Sequence, residues 1–565
     1  MKKATQKLLL TSLFSRLTTD SCLSLFLFCC IFPSTAFSAW APIVGIPEPP
    51  WGINETATTL PASWASNVPG FYFVQAGGTN YNNGYPGNPR PDMPSSPPPG
   101  SVICLNGEIT QAPTIGYIGT AESPIFIRSY NNESRAALMT VWTFYNAAYV
   151  VLENVNTNWV EYGGIELYKS HHISIRNNDL KGNSVNTGGI ILQDYYLTDY
   201  GQQHHIVINN NIMHEFGDWQ TEVDQDKHGV SSADKYTEDV WITNNTFYHL
   251  SGDAVQIGKL AYNPSVATRK YYVGANTAYE IKQVAFWTKG AGDVIFSSNI
   301  VHNLRNDNPS GEAFGLGMQC GPENVWFINN IVYSCIGGIT IAGDQGGVGK
   351  NVYVLGNVFY QIHDTTNTKT DWNNPENGTG ACFMNRGGKN LYFQNNTCND
   401  YDSGWQLGTG NSTVISKFSN NILSARNTGK PGHSFLSYEA DTILLEFRNN
   451  IIQGVSANIG GQIYSTISGL QTYLGSRGSN NIDDSPAYVN AAGGNFSLQS
   501  GSPAVDAGIS PDVYATFQAR YGLDISKDIN GTTRPQNSKW DIGAYEFSEK
   551  TILPIPAIIH TNIVK

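Results

Sequence analysis

A short strand that ends in asparagine recurs through the middle of the chain and limits the folds that this sequence can adopt. It appears as HISIRNN, HIVINNN, VWITNN, YYVGAN, VIFSSN, VWFINN, VYVLGN, LYFQNN and EFRNN. The marker asparagines lie 23 to 39 residues apart, and a fixed strand at a drifting spacing is typical of a solenoid whose coils carry loops of different length. They are Asn154, Asn178, Asn211, Asn245, Asn276, Asn299, Asn330, Asn357, Asn396, Asn421 and Asn450.

A second strand follows the asparagine in most of these units. It appears as GGIEL, GGIIL, HGVSS, DAVQI, AFWTK, AFGLG, GGITI and GWQLG, and a glycine or alanine at its start permits a sharp turn. Stacked coils of this kind form parallel sheets with strands about 4.8 Å apart, and the repeated asparagines are expected to form an internal ladder of amide hydrogen bonds. The pattern therefore predicts an all-β fold, a parallel β-helix of about eleven or more coils.

Other repeat folds do not fit this pattern. The period lacks the Leu-x-x-Leu-x-Leu frame of leucine-rich repeats, and no Trp-Asp signature of a propeller recurs. The strand-and-asparagine repeat resembles that of the pectate-lyase-like superfamily of right-handed parallel β-helix proteins, over about residues 102–481. The resemblance implies a right-handed solenoid with caps at both ends, because the end coils of a solenoid would otherwise expose core and unpaired strand edges.

The two ends of the chain differ from the repeat. A basic start, apolar runs at 8–14 and 23–32 and a small-x-small site at 36–38 have the pattern of an export signal, which predicts a secreted or periplasmic protein without stable membrane insertion after signal removal. The segments LQSGSPAVDAG and DINGTTRPQNSKWDIGAYEF resemble the closing segment of exported bacterial β-helix proteins. The predicted organisation is a signal peptide at 1–38, an N-terminal cap at 39–101, the β-helix at 102–481, a C-terminal closing segment at 482–547 and a tail at 548–565.

The net charge of the chain limits the classes of molecule that it is expected to bind. A net charge of −12 and a pI near 5.4 disfavour nucleic acid, which binds basic surfaces. The family resemblance favours a polysaccharide, expected to be acidic, and the chain is expected to act as a monomer. The cysteines that follow the signal allow a Cys320–Cys335 or a Cys382–Cys398 bridge without requiring either, and no pair has zinc-ligand spacing.

Candidate functional residues lie on the outward positions of the second strands and on the loops beside them. Aligning the strands places His228, Asp253 and Glu312 in one column, Gln256 and Trp287 in the next, and Lys289 two residues beyond Trp287. The two longest loops near this column are 217–229 and 259–272. They carry Asp224, Asp226, Arg269 and Lys270.

A lyase that cleaves a uronate by β-elimination needs a base for the proton next to the carboxylate, and a cation that neutralises the carboxylate. The stretch AFWTKGAGDVIFSSN resembles a lysine-bearing rung of the superfamily, with Trp287 in place of its acid, and the resemblance implies Lys289 as the base. Lys282 is the second choice for the base and otherwise a substrate-binding residue, and His228 is a candidate acid or base. Gln256, Trp287, Arg269 and Lys270 are expected to bind substrate. Asp224, Asp226 and Asp253 could supply hard oxygen ligands to Ca²⁺.

Two other functions remain open from the sequence. In an inverting glycoside hydrolase, Asp253 and Glu312 would share a column two coils apart, which allows their carboxyl groups to lie roughly 6.5–9.5 Å apart. In a non-catalytic glycan-binding protein or adhesin, exposed aromatic residues such as Trp219 and Trp287 would bind the sugar instead. Motifs of serine hydrolases, zinc proteases and nucleotide-binding loops do not occur.

Overall fold

The structure is a computed structural model that describes most of the chain after the predicted export signal. No helix among the described residues is long and apolar enough to cross a membrane. The predicted signal at 1–38 and residues 550–565 lie outside the described part. The described residues are 40–159, 163–183, 187–221, 225–232, 234–304, 313–343, 347–363, 380–407, 414–424, 436–438, 443–454, 456–459 and 461–549.

Three long sheets follow one another around each coil, and we name them A, B and C in chain order. Sheet A contains Phe71–Val74, Val102–Leu105, Ile125–Ser129, Ala148–Glu153, His171–Arg176, Gln203–Asn209, Thr237–Thr243, Arg269–Gly274, Gly292–Ser297, Glu323–Ile328, Gly349–Leu355, Gly388–Gln394, Val414–Ser419, Ile443–Arg448 and Gly478–Ser479. Sheet B contains Glu108–Ile109, Ala137–Leu138, Asn156–Thr157, Asp179–Lys181, Ile212–Phe216, Thr246–Leu250, Thr277–Ile281, Ile300–His302, Ile331–Cys335, Val358–Ile362, Thr397–Tyr401, Ile422–Ser424 and Ile451–Gln453. Sheet C contains Thr114–Ile115, Trp142–Tyr145, Gly163–Tyr168, Thr187–Leu192, Val230–Ser231, Val255–Ile257, Phe286–Lys289, Phe314–Gln319, Gly337–Ile341, Ala381–Asn385, Ser403–Leu407, Leu436–Tyr438, Ala457–Ile459 and Gln462–Tyr464.

Successive coils pair in parallel, which confirms the predicted right-handed parallel β-helix. Among the strands of the described residues, antiparallel pairing occurs where Gln462–Tyr464 joins the end of sheet C and in the hairpin of Tyr488–Asn490 with Asn495–Leu498. The helices are Ile467–Leu474 and Asp512–Tyr521, with 3₁₀ turns at Gly475–Arg477 and Ala491–Gly493. Parallel pairing already begins at Phe71, inside the segment that the sequence assigns to the N-terminal cap.

Sheet B was not predicted from the sequence. Its strands begin directly after the asparagine, as in Ile212–Phe216 after Asn211, so no glycine or proline separates them from the strand of sheet A. The backbone turns at the residue before the ladder asparagine, which has a φ of 55° at Asn210 and 57° at Asn244. Asparagine tolerates this left-handed conformation better than most residues, so the doublet Asn-Asn supplies first the corner and then the ladder.

The predicted asparagine ladder is present, with a change at each end. Within it, each asparagine Oδ1 accepts the backbone N–H and a side-chain N–H of the preceding asparagine, as Asn276 does from Asn245 at 2.9 and 3.0 Å. Asn154 is not a member, because it lies at the corner with a φ of 56° and Val155 donates its N–H to Asn178. The ladder runs through Asn178, Asn211, Asn245, Asn276, Asn299, Asn330, Asn357, Asn396, Asn421, Asn450 and Asn481.

The interior between the three sheets is a continuous apolar core. A disulfide joins Cys382 of sheet C to Cys398 of sheet B, with their Cα atoms 6.4 Å apart, so this one of the two allowed bridges is present. Cys320 and Cys335 are buried and not bridged.

Segments from both ends of the chain pack on the outer faces of sheets A and B. Residues 44–55, which we call the N-terminal segment, cross sheet A toward the earlier coils. Their carbonyls accept hydrogen bonds from Ser297 Oγ at Val44 (2.6 Å), Trp241 Nε1 at Pro47 (2.8 Å) and Ser174 Oγ at Gly52 (2.5 Å). The helix Asp512–Tyr521 packs on the later coils of sheet A. Closing-segment residues, including Phe496 and Ile542, cover part of sheet B. Sheet C is therefore the face on which loops can border a groove.

Arg176 anchors the N-terminal segment, and replacing it with methionine should lower the free energy of unfolding by about 3–5 kcal/mol. The guanidinium is buried, and it donates to Glu153 and to the carbonyls of Gly52, Ile53 and Glu55 at 2.6 to 3.2 Å. Its loss leaves these acceptors without their donor inside the protein. Urea unfolding measures the effect, with Arg135→Met as a half-exposed control. If Arg176→Met lowers the free energy of unfolding no more than Arg135→Met does, the N-terminal segment does not depend on Arg176.

Candidate functional site

The strand register of sheet C defines which side chains share its outer face. Going along the chain, Glu166 pairs with Ile191, Ile191 with Ser231, Ser231 with Gln256 and Gln256 with Trp287. These pairs confirm the column that was predicted from the sequence. The next partner of Trp287 is Gly317, two residues beyond the glycine expected there. The predicted alignment of this one coil is therefore wrong by two residues, and the next coil returns to the predicted column because Gly317 pairs with Thr340.

This shift removes the geometric argument for a carboxyl pair of Asp253 and Glu312. Because Phe286 pairs with Leu316 and Phe314 pairs with Gly337, Phe314 occupies the position in the column of Asp253 that was predicted for Glu312. Glu312 itself lies outside the described residues. Asp253 is only 2% exposed, and its Oδ1 accepts the backbone N–H of Val284 at 3.0 Å. Asp253 is thus placed to hold the corner between coils.

Trp287 and Gln256 are buried, which corrects the expectation that they contact substrate directly. The Trp287 ring packs with Val284, Phe314 and Met384 on the outer side of sheet C and is 5% exposed. A Cβ at Gly317 would lie 2.1 Å from this ring, so the glycine makes the space that the indole fills. In this conformation the ring forms part of the floor of the face and does not offer an exposed stacking surface.

His228 lies at the centre of the predicted site and is almost completely enclosed. Its Nδ1 accepts the backbone N–H of Asp253 at 2.9 Å, and its Nε2 lies 3.3 Å from Asp226 Oδ1. The approach is tight, because a Cβ at Gly252 would lie 2.7 Å from His228 Nδ1. Since Nδ1 uses its lone pair for Asp253, the proton of the neutral ring is on Nε2 and faces Asp226. This geometry fits a residue that positions Asp226 better than it fits a general base.

The charges that act on His228 indicate which ionisable groups lie near the site. Burial lowers the pKa of His228 to about 4; Asp226 opposes this shift, and the ammonium groups of Lys289, Lys259 and Lys227 add to it. These lysines come from sheet C and from the two loops that flank it. The sequence placed Lys227 on a loop near this face without a role in the site, and it did not predict Lys259 as a site residue. Their positions in the sequence could have identified them, because Lys227 lies just before one strand of sheet C and Lys259 just after the next.

Lys289 is the cation best placed for chemistry. Because side chains alternate along a strand, Phe286 and Thr288 face the interior while Trp287 and Lys289 face outward. Lys289 is half-buried and lies at the end of its strand, opposite Gln319 of the next coil. Within the described part of the chain, its side-chain amine forms no hydrogen bond or ion pair. Its amine is therefore available to a bound substrate.

The predicted Ca²⁺ ligands do not form a shared site in the described residues. Asp226 and Asp253 face opposite nitrogens of His228, at 3.3 and 3.6 Å, so the imidazole separates their carboxylates. Calcium requires six to eight oxygen ligands around one point. Asp224 lies outside the described residues. The two carboxylates that are described do not fit a common Ca²⁺ ion.

The three other predicted cations lie away from this face. Lys282 is fully buried, and its Nζ donates to the carbonyl of Asp218 at 3.1 Å, so it supports the loop that starts at Gly217. Arg269 and Lys270 belong to sheet A, where Glu238 binds both at 2.9 and 3.3 Å. These positions correct the expectation that they share the face of Lys289 and bind substrate carboxylates there.

A patch of exposed tyrosines on the earlier coils of sheet C was not predicted. Tyr195 and Tyr196 are 82% and 52% exposed, and the ring of Tyr196 lies 5.8 Å from those of Tyr145 and Tyr168. Tyr168 donates a hydrogen bond to Glu166 at 3.2 Å. The signal in the sequence is the doublet Tyr-Tyr, which is separated by two residues from the end of the sheet C strand Thr187–Leu192. We refer to Tyr145, Tyr168, Tyr195 and Tyr196 as the tyrosine patch.

The low pKa of His228 predicts a loss of stability in mild acid. The unfolded state takes up a proton as the pH falls below about 6.5, whereas folded His228 remains neutral to about 4, so this contribution to stability is lost progressively across that window. Between pH 7 and pH 5, the variant His228→Gln should lose about 2 kcal/mol less stability than the unchanged protein. Urea unfolding at both pH values measures this difference. Identical losses in the two proteins would contradict the assignment.

Comparison with known proteins does not identify a family for this chain. No protein-family model matches the chain, and no curated protein matches it. The GH136 lacto-N-biosidase from Eubacterium ramulus is similar over 66% of this chain and 67% of its own, at 15% identity and a TM-score of 0.42. An alginate lyase from Paenibacillus covers 55% of this chain and 88% of its own, at 14% identity and a TM-score of 0.32. PfbA, a surface adhesin of Streptococcus pneumoniae, covers 66% and 86%, at 10% identity and a TM-score of 0.36. Likeness at this level concerns the fold alone.

Proposed function

We propose that the protein is an exported lyase that cleaves a uronate-containing polysaccharide by β-elimination on the outer face of sheet C. The observation that carries this proposal is the placement of three lysines near His228. Lys227 precedes His228 in the chain, Lys259 follows Gly258, and a Cβ at Gly258 would lie 2.1 Å from the carbonyl oxygen of Lys289. The Lys289 amine has no partner among the described residues. Clustered ammonium groups on a chain with a net charge of −12 form a local site for a carboxylate.

In this proposal Lys289, as the neutral amine, removes the proton from the carbon that bears the carboxylate. The electrons of that C–H bond form a carbon–carbon double bond, the glycosidic C–O bond breaks, and the leaving oxygen takes a proton from water. The Lys289 ammonium then gives its proton to the hydroxide that remains, which restores the amine. Lys227 and Lys259 neutralise the substrate carboxylate and stabilise the charge that develops on it. His228 acts as a positioning residue through its contact with Asp226.

The tyrosine patch is proposed to bind the chain of the polysaccharide beyond the cleaved bond. Tyr168 and Lys289 occupy equivalent positions on sheet C four coils apart, which is about 19 Å along the solenoid. Aromatic rings provide large apolar surfaces that pack against sugar rings. A substrate of several sugar units could therefore contact both the tyrosines and the lysines.

The proposed location is outside the cytoplasm. The leader has the pattern of an export signal, and the Cys382–Cys398 disulfide is of a kind that persists in oxidising compartments. Secretion and periplasmic location both agree with these two observations.

A panel of uronic-acid polysaccharides tests the proposed reaction. The purified protein is incubated with each of them in the presence of either Ca²⁺ or EGTA, and both ultraviolet absorbance and new reducing ends are recorded. We expect the absorbance of an unsaturated uronate to rise, at similar rates in both conditions, because lysines and not Ca²⁺ neutralise the carboxylate. New reducing ends without this absorbance would show that the protein is a hydrolase and not a lyase. If neither the absorbance nor new reducing ends appear, glycan binding without cleavage becomes the favoured function.

A further inference from the structure

Two histidine doublets meet on the outer face of sheet A, away from the proposed lyase site. His171 and His172 begin the strand His171–Arg176, and His204 and His205 lie near the start of Gln203–Asn209. The two strands are neighbours, and His171 pairs with His204 in their register. The parallel coils therefore bring four imidazoles together from two sequence positions that are 33 residues apart.

The backbone at these positions places both rings of each doublet on the same side. Consecutive residues of a regular strand face opposite sides of the sheet. His172 and His205 have φ values of 51° and 52°, and this left-handed residue interrupts the alternation. As a result, the Nδ1 atoms lie 3.0 Å apart in the first doublet and 2.5 Å apart in the second.

The left-handed corner alone does not explain this cluster. Other coils have Asp239, Lys270 and Asp293 at the position of His172 and His205, also with positive φ. This backbone conformation is thus compatible with several residue types and does not require histidine. The preceding positions, 171 and 204, do not require histidine either, because Glu238 and Arg269 occupy the equivalent positions in the next coils.

We propose that His171, His172 and His204 bind a divalent transition-metal ion of the Zn²⁺ class, with the fourth position open to water. One ligand atom from each of these residues lies within 4.8 Å of the others, a grouping of potential metal ligands found among the described residues. In a tetrahedral zinc site with bonds near 2.0–2.1 Å, ligand nitrogens lie about 3.3 Å apart, so small rotations of the His171 and His204 rings toward His172 would close the site.

The surroundings favour this class of metal over Ca²⁺ or Mg²⁺. All of the converging donors are imidazole nitrogens, which suit zinc, copper and nickel, whereas the hard cations require oxygen. The nearest carboxylates of the next coil, Glu238 and Asp239, are engaged by Arg269 and Lys270.

Aromatic residues form one wall of the site. Tyr149 stacks on His172 with ring centroids 4.3 Å apart, and Trp51 of the N-terminal segment meets the same imidazole edge-on at 6.0 Å. His205 stacks on His172 from the other side at 4.6 Å. These contacts hold His172 in place before an ion arrives. A bound ion would join two coils beneath the N-terminal segment.

Titration of ZnCl₂ into chelator-treated, dialysed protein tests the site by calorimetry. We expect one ion per chain, and His171→Gln and His204→Gln should each weaken binding by at least about 100-fold. Glutamine keeps a polar side chain of similar length, and unchanged thermal unfolding without metal shows that each variant folds. His302→Gln on sheet B is the matched control and should bind as the unchanged protein does.

Two results would overturn the metal site. One is the absence of stoichiometric zinc binding to the unchanged protein. The other is zinc binding of ordinary strength by the double variant His171→Gln/His204→Gln. Neither readout involves polysaccharide cleavage, so a failure here is separate from a failure of the proposed lyase function.

Discussion

Replacing Lys289 with alanine should lower the turnover of a uronate polysaccharide by about 10²–10⁴-fold, the usual contribution of a general base. The reason is that no other amine of the described site lies on the outward face of the sheet C strands themselves. Lys227 and Lys259 come from the flanking loops and are assigned to the carboxylate. The change should appear in kcat, measured from the ultraviolet absorbance of the unsaturated product.

Stability provides the control for this experiment. The Lys289 amine forms no hydrogen bond or ion pair among the described residues, so Lys289→Ala should unfold at nearly the same temperature as the unchanged protein. Lys350→Ala is a matched variant on sheet A, where the exposed amine contacts Glu323 at 3.0 Å, and it should retain full activity. Full activity of Lys289→Ala would exclude this lysine as the base.

Replacing Asn276 with alanine should lower the free energy of unfolding by about 3–6 kcal/mol, because several buried groups lose their partners together. Its Oδ1 accepts from the backbone and side chain of Asn245, and its Nδ2 donates to Ile242 O at 2.8 Å and to Asn299 Oδ1 at 3.0 Å. The residue is fully buried, so water does not replace these bonds without entering the core.

Urea unfolding of Asn276→Ala against Asn82→Ala checks this expectation. Asn82 is exposed and lies outside the ladder, so its replacement should change stability by less than about 0.5 kcal/mol. Similar small losses in both variants would mean that the ladder contributes little to the stability of the solenoid.

The sequence predicted the coil and its ladder because a repeated geometry leaves a repeated residue. The ladder asparagine has to accept from one coil and donate to the next, and no other side chain of this size offers both groups in one plane. The corner that leads into sheet B has no residue type that repeats in every coil of the sequence. It accepts Asn210, Ala275 or Ser298 at positive φ, so the residue type varies where the backbone does not. A constraint met by several residue types is not visible in one sequence.

The candidate site was predicted less completely, for two physical reasons. Alignment of the strands failed near Phe314 because three alternating positions, at 313, 315 and 317, carry small residues that fit either face. Burial was the second difficulty. Trp287 and Lys282 look like surface groups in a strand pattern, yet packing over Gly317 covers the first and the loop carbonyl of Asp218 holds the second.

The N-terminal segment limits how this solenoid can change in evolution. Repeat proteins usually gain or lose units by duplication or deletion, since each unit contacts only its neighbours. Here Val44, Pro47 and Gly52 are joined to Ser297, Trp241 and Ser174, which belong to different coils. Loss of a single coil between Ser174 and Ser297 would place at least one of these partners out of reach by about 4.8 Å. The coil number in this region is therefore inherited together with the segment that spans it, and new length is more easily acquired in the loops beside sheet C.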